Sequence, residues 1–209
     1  MSKTVCIYPE DATTTFLLPL YEHICNVLNA VGIHNDTTDE DDALDKIYKE
    51  IEDADLILFL GHGNSANLYG SRLDNVVFEE NNHQLLKDKT LFLLACNSAD
   101  FIHRFGYTNA IGFDFLPTSL DDVRTQRMLH NIRIEELERA DVNVYKDSLV
   151  HIFINTISKE TMTDFHLFKE RLKFDVSQGI VDCLINKKST NYRVVADELY
   201  YLYKDMDIR

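Results

Sequence analysis

Glycine and proline are scarce in this 209-residue chain, at seven and three. That excludes low-complexity tracts and long disordered linkers, so the chain is expected to fold throughout. Basic residues are outnumbered, 21 Lys and Arg against 35 Asp and Glu, for a net charge of −14. A field of that sign repels phosphate backbones and favours basic ligands, which argues against nucleic acid as a partner. No apolar run approaches the roughly 20 residues of a membrane span. The N-terminal MSKTVCIYPE also lacks the basic and apolar regions of a secretory signal. A cytoplasmic protein without membrane contact is the expectation. The four cysteines, Cys6, Cys25, Cys96 and Cys183, are too scattered for a CxxC metal knuckle and read as thiols. Cys6, Cys25 and Cys183 lie in apolar segments and read as buried small hydrophobes. His83, His103, His130, His151 and His166 have no HxxxH or HExxH partner, so no metal site is expected.

What is present is an α/β pattern. Thr4 to Tyr8 reads as a short buried strand, and Leu17, Leu20, Tyr21, Ile24, Cys25 and Leu28 follow at helical spacing, with Gly32 as the stop. Ten acidic residues lie between Asp36 and Asp55, yet Leu44, Ile47, Tyr48 and Ile51 keep an amphipathic stripe whose acidic side is solvated. Leu56 to Leu60 and Leu91 to Ala95 are uninterrupted apolar runs, suited to central strands of a parallel sheet covered on both faces. Ala99 to Phe105 is helix-sized and ends at Gly106, and Ala110 to Phe113 reads as a further strand. From about Asp121 the pattern is mostly helical, with segments near 146–158, 163–173 and 193–205. The stretch Val144 to Ile157 suits either strand or buried helix. The expected architecture is a single domain over 1–209, with a mostly parallel sheet between helices.

In open α/β sheets, reactive groups gather beyond the carboxyl ends of parallel strands. Two ends stand out: Gly61-His62-Gly63, and Ala95-Cys96-Asn97-Ser98. If the two strands are parallel neighbours, His62 and Cys96 emerge at one edge, where imidazole serves as general acid and base to the thiol. Cysteine suits such a dyad because it is already partly ionised near neutral pH. Gly63, lacking Cβ, allows the close backbone approach that an oxyanion hole needs. Asn97 and Ser98 are expected to cap the following helix.

The segments Leu56-Ile-Leu-Phe-Leu-Gly-His-Gly63 and Leu91-Phe-Leu-Leu-Ala-Cys-Asn-Ser98 resemble the clan CD cysteine peptidases of caspase-like fold. The second is especially similar to the form found in bacterial CHAT domains, and the likeness spans roughly residues 56–127. It implies a caspase-like three-layer sandwich and a cysteine endopeptidase. His62 would be the general acid and base, Cys96 the nucleophile, and the Gly63 and Cys96 N–H groups the oxyanion donors. It implies a protein or peptide substrate and a separate activating or sensor partner. The acyl-transfer cycle it implies needs no cofactor. Asp114 and Asp122, with Asp121, fall just after the strand that follows the nucleophile, where the family walls its S1 pocket; a carboxylate there favours a basic P1 residue. The competing role for Asp121 and Asp122 is to cap a helix beginning near Val123.

Other classes compete with the peptidase. A catalytically inactive caspase-fold adaptor would use the acidic segment as a docking surface, and the charge split does not separate the two. Residues 1–105 hold 7 basic and 18 acidic side chains, and 106–209 hold 14 and 17. A nucleotide binder is disfavoured, because the chain has neither GxGxxG nor a Walker A sequence.

Overall fold

The structure is a computed structural model that describes residues 3–34, 42–72, 75–121, 123–124 and 137–209. The chain divides into two compact units, 1–115 with 206–209, and 116–205.

The first unit is built on a six-stranded sheet. Its strands are β1 (Thr4–Tyr8), β2 (Val31–His34), β3 (Leu56–Leu60), β6 (Thr90–Leu94), β7 (Ala110–Gly112) and β8 (Asp207–Ile208), in the spatial order β2-β1-β3-β6-β7-β8. The first five are mutually parallel, and β8 runs antiparallel to β7 at the edge. Between β3 and β6 the chain forms a small antiparallel pair, β4 (Leu68–Tyr69) and β5 (Val76–Phe78).

Strand alternation sends Val5, Ile7, Ile57, Phe59, Leu91 and Leu93 to one face. There they form one buried cluster with Ile47 and Ile51 of helix α2 (Asp42–Glu52) and Phe101 and Ile102 of helix α3 (Ser98–Phe105). Cys6 and Tyr8 point the other way, toward helix α1 (Leu18–Leu28), whose Leu20 and Ile24 are fully buried. Helices on both faces make the three-layer α/β sandwich expected from the sequence, with fully apolar central strands because both faces are covered.

The strand order carries the main consequence for function. From β1 the chain crosses outward to β2 and then returns past β1 to β3, so the connections leave β1 and β3 toward opposite sides. Such a reversal opens a crevice at the carboxyl ends of the two strands.

Two sequence expectations change here. Gly32 does not stop α1: Asn29, with φ 52°, takes the left-handed conformation at the helix end, and Gly32 lies inside β2 opposite Cys6. Asp121 lies within a helical turn whose Val123 N–H donates to the Ser119 carbonyl, so Asp121 is inside the turn and pairs at 3.0 Å with Arg124. Asp122 and His130 lie outside the described residues.

The second unit is helical: α4 (Arg139–Thr156), α5 (Lys159–Thr163), α6 (Phe165–Asn186) and α7 (Tyr192–Lys204). The ambiguous stretch from Val144 is therefore helix. Its core holds Tyr145, Leu149, Phe153, Phe168, Leu172, Val195 and Leu199. Asp141, 1% exposed, joins the starts of α4 and α7. It accepts hydrogen bonds from the Glu138 N–H (2.8 Å), the Asn191 N–H (3.1 Å) and Asn191 Nδ2 (3.0 Å). Burial opposes its ionisation, but these donors outweigh it and hold its carboxyl below the usual range.

A group whose folded pKa is depressed stabilises the fold above its unfolded value, near 3.9, and loses that contribution as pH falls through the folded value. Asp141→Ala is expected to cost about 1–3 kcal/mol at neutral pH. The deficit should shrink below about pH 4, where the wild type loses the same contribution. Urea unfolding of both proteins at neutral and acidic pH checks this, and a deficit independent of pH would exclude the carboxylate as its source.

Candidate active site

The sheet places the two singled-out strand ends side by side. β3 and β6 are parallel neighbours, with Leu60 opposite Leu94, and the Gly61 N–H continues the pairing by donating to the Leu94 carbonyl at 3.1 Å. His62 and Cys96 each lie two residues beyond that last matched pair, at the same edge. The expectation that the two strands are adjacent and parallel is met.

His62 is held from the far side of the β1/β3 crevice. Its Nε2 lies 2.8 Å from Asp11 Oδ2 and 2.9 Å from Thr13 Oγ1, both from the loop after β1. That loop is organised by the Asp11 carboxylate itself. Oδ1 accepts from the Thr13 N–H (2.7 Å), the Thr14 N–H (2.9 Å), Thr13 Oγ1 (2.8 Å) and Thr14 Oγ1 (3.1 Å), while the Asp11 N–H donates to Thr14 Oγ1 (2.9 Å).

One carboxylate oxygen is thus spent on the turn, and the other is fixed in the direction of the imidazole. Burial works against the Asp11 charge, but the Thr13 hydroxyl, the neighbouring His62 and the Thr13 and Thr14 N–H groups outweigh it and hold the carboxyl below its ordinary value. The half-buried contact of Nε2 with Asp11 leaves Nδ1 as the ring nitrogen for proton exchange.

Asp11 and Thr13 were not among the residues expected from the sequence. The available signal was local: Asp followed by Thr at the second and third positions is a side-chain-organised turn. Its bearing on His62 depends on β1 lying beside β3, which periodicity does not reveal.

Cys96 is half-buried and outside any disulfide. It stands two residues before Ser98, the first residue of α3, whose aligned peptide dipoles favour a thiolate near the N-terminus. Asn97 between them has φ 55°, a left-handed conformation that asparagine tolerates, and its N–H donates to the Asp114 carbonyl at 3.1 Å.

The expected capping by side chains is corrected. Asn97 occupies the N-cap position without a side-chain cap bond, and Ser98 sits inside the helix. The fully buried Ser98 hydroxyl donates to the Leu93 carbonyl (2.6 Å) and accepts from the Phe113 N–H (2.9 Å), tying the ends of β6 and β7 to the Cys96 turn.

Gly63 packs directly on that turn. A Cβ there would lie 2.9 Å from Ala95 Cβ, 3.0 Å from Leu68 Cδ2 and 3.2 Å from the Cys96 carbonyl oxygen. The glycine is thus required for the close approach of the two strand-end loops. On its other side the Tyr69 N–H donates to the His62 carbonyl at 3.0 Å, so the β4–β5 pair buttresses the histidine loop.

Asp114 is exposed at the same edge of the sheet, one residue past Phe113. The 310 Å³ cavity between α4 and α6, which includes His151, Asp175 and Asp182 in its lining, contains none of these residues. Among the described residues no group of three or more His, Cys, Asp or Glu is arranged to hold a metal ion, and no helix is long and apolar enough to cross a membrane. Chemically, the edge combines a thiol at a helix start, an imidazole oriented by a carboxylate, and backbone from two loops in tight contact. Comparisons with protein-family models, curated proteins and solved structures find no match to this chain.

Proposed function

We propose that this protein is a cysteine endopeptidase of the caspase-like, CHAT-related kind. The observation that carries the reading is the pairing of β3 with β6 up to Leu60 and Leu94, from which His62 and Cys96 follow two residues on at one edge. The resemblance of both segments to clan CD motifs supplies the reaction class.

In this reading the Cys96 thiolate attacks the scissile carbonyl, and the Gly63 and Cys96 N–H groups receive the developing oxyanion. Collapse gives a thioester while His62, through Nδ1, protonates the leaving amine. His62 then takes a proton from the water that hydrolyses the thioester. Asp11 fixes the ring and stabilises the imidazolium. A separate partner protein activates the enzyme, as the resemblance implies.

Asp114 is the carboxylate that supports a basic P1 residue, because its backbone is tied to Asn97 beside the nucleophile and it is exposed. A planar guanidinium gains most from such a carboxylate.

Peptidyl acyloxymethyl ketones differing only at P1 test both levels, applied with and without native cell extract as a source of activator. The expected result is labelling at Cys96, absent in Cys96→Ala and strongest with P1 Arg. Asp114→Ala is expected to reduce the Arg preference about ten-fold, the size of one charge-assisted hydrogen bond. Cys96-dependent labelling strongest with P1 Asp or Leu would overturn the basic-P1 assignment. Folded protein that shows no Cys96-dependent labelling under either condition would overturn the peptidase.

A further inference from the structure

The face of β1 turned toward α1 carries a pair of sulfur atoms that the proposed chemistry does not use. Cys6, fully buried in β1, pairs across the sheet with Gly32, and Cys25 of α1, which is half-buried, has its sulfur against that same glycine. Tyr21, one helical turn before Cys25, also hydrogen-bonds the Cys25 sulfur.

The niche exists because β2 presents Gly32 directly opposite Cys6. A Cβ on Gly32 would stand 2.2 Å from the Tyr21 hydroxyl and 3.0 Å from Cys25 Sγ. Tyr21 is in turn held by rings on two strands, with centroids 5.3 Å from Tyr8 and 5.4 Å from His34. The sequence expectation that Cys25 is a buried small hydrophobe is corrected in its burial, since the residue is half-buried.

We propose that Cys6 and Cys25 form a thiol pair that hydroperoxides oxidise to an intramolecular disulfide, with Cys25 as the attacking thiol and Cys6 as the resolving one. The roles follow from position: Cys25 is reachable from solvent, and Cys6 touches it from the interior.

Electrostatics agree with the assignment. The Cys6 thiol donates to the Cys25 sulfur, outweighing partial burial, and with the Tyr21 hydroxyl it brings Cys25 down to about 7, while burial pushes Cys6 up. A thiol titrating near ambient pH combines thiolate population with nucleophilicity.

The step balances with one peroxide per pair. The Cys25 thiolate attacks one peroxide oxygen and breaks the O–O bond. This gives a sulfenic acid and, with one proton taken up, water or an alcohol. The Cys6 sulfur then attacks the Cys25 sulfur, its proton leaves with the expelled hydroxide as water, and the S–S bond forms. Two electrons pass from two thiols to the peroxide.

The test uses the reduced full-length protein, a modest excess of hydrogen peroxide, and alkylation of remaining thiols before digestion. Trypsin leaves Cys6 and Cys25 on one peptide, Thr4 to Lys46, and Cys96 on another, so the two sites are read separately. Cleavage after Glu10 and Glu22 then separates Cys6 from Cys25 unless they are bridged.

The expected product is the bridged pair, restored to two thiols by dithiothreitol. Cys6→Ser should instead leave Cys25 as a sulfenic acid captured by dimedone, and Tyr21→Phe should slow its oxidation several-fold. A Thr4 to Lys46 peptide that stays reduced while Cys96 is consumed would overturn the proposal. So would Cys25 reaching the sulfinic acid with Cys6 still alkylatable after unfolding. Neither outcome depends on whether the protein cleaves peptides.

Discussion

His62→Ala is expected to lower kcat/KM on the best P1 substrate by roughly 10²–10⁴-fold, the range of a lost general acid and base, with the fold retained. The side chain lies at the rim of the crevice, 19% exposed, and is not part of the apolar cluster on the sheet face, so under the proposed mechanism its removal is expected to lower activity before stability.

Asp11→Asn is the more discriminating substitution. An asparagine can keep its oxygen in the Thr13 and Thr14 turn and then presents an N–H to His62 Nε2 in place of a carboxylate oxygen. Nε2 must then accept, so the neutral ring carries its proton on Nδ1, the tautomer that cannot receive one from the nucleophile. The expected signature is a fall in kcat approaching that of His62→Ala, with KM little changed and the melting temperature within a few degrees of wild type. Full activity in Asp11→Asn would remove Asp11 from the machinery and leave a two-residue dyad. Full activity in His62→Ala would remove the dyad itself.

The different legibility of these residues has a physical cause. β3 and β6 are readable because a strand covered on both faces is apolar at every position and ends abruptly where backbone meets the crevice. His62 and Cys96 stand at those ends. β2 is unreadable for the opposite reason: at the sheet edge, Val31, Gly32 and His34 are exposed and Ile33 only half-buried, so neither an apolar run nor alternation marks it. The helix before it ends on Asn29, and the glycine signal at Gly32 belongs to the packing of Tyr21 and Cys25.

Asp11 belongs to a third case. Its turn is local, but its role depends on the crossover that returns the chain past β1, a property of strand order that no single segment encodes. Asn97 and Ser98 were placed correctly along the chain and given the wrong bonds. The geometry that lets Ser98 reach Leu93 and Phe113 arises only once β6 and β7 are paired.

Under the proposed mechanism, Gly63→Ala is expected to lower kcat about 10²-fold while changing stability little, because it displaces the His62 loop from the Cys96 loop. The added methyl would meet Ala95 Cβ at 2.9 Å and the Cys96 carbonyl at 3.2 Å, neither of which is the end of a flexible side chain; Leu68 Cδ2, at 3.0 Å, can turn away. The loop carrying His62 is the part that must shift, against its hydrogen bonds to Asp11, Thr13 and Tyr69, since β3 and β6 are locked by their ladder up to Leu60 and Leu94.

Gly112→Ala provides the contrast within the same sheet. Its Cβ would lie 2.5 Å from Ile102 Cδ1, 2.7 Å from the Ala99 nitrogen and 2.8 Å from the Ser98 carbonyl carbon, so the strand and the start of α3 must separate. Overpacking of that kind costs about 1–3 kcal/mol and should register first as a lower melting temperature. Measuring kcat and thermal unfolding for both variants separates the cases. A Gly63→Ala variant with unchanged kcat would show that the approach of the two loops is packing alone, and that the distance between His62 and Cys96 does not limit the proposed reaction.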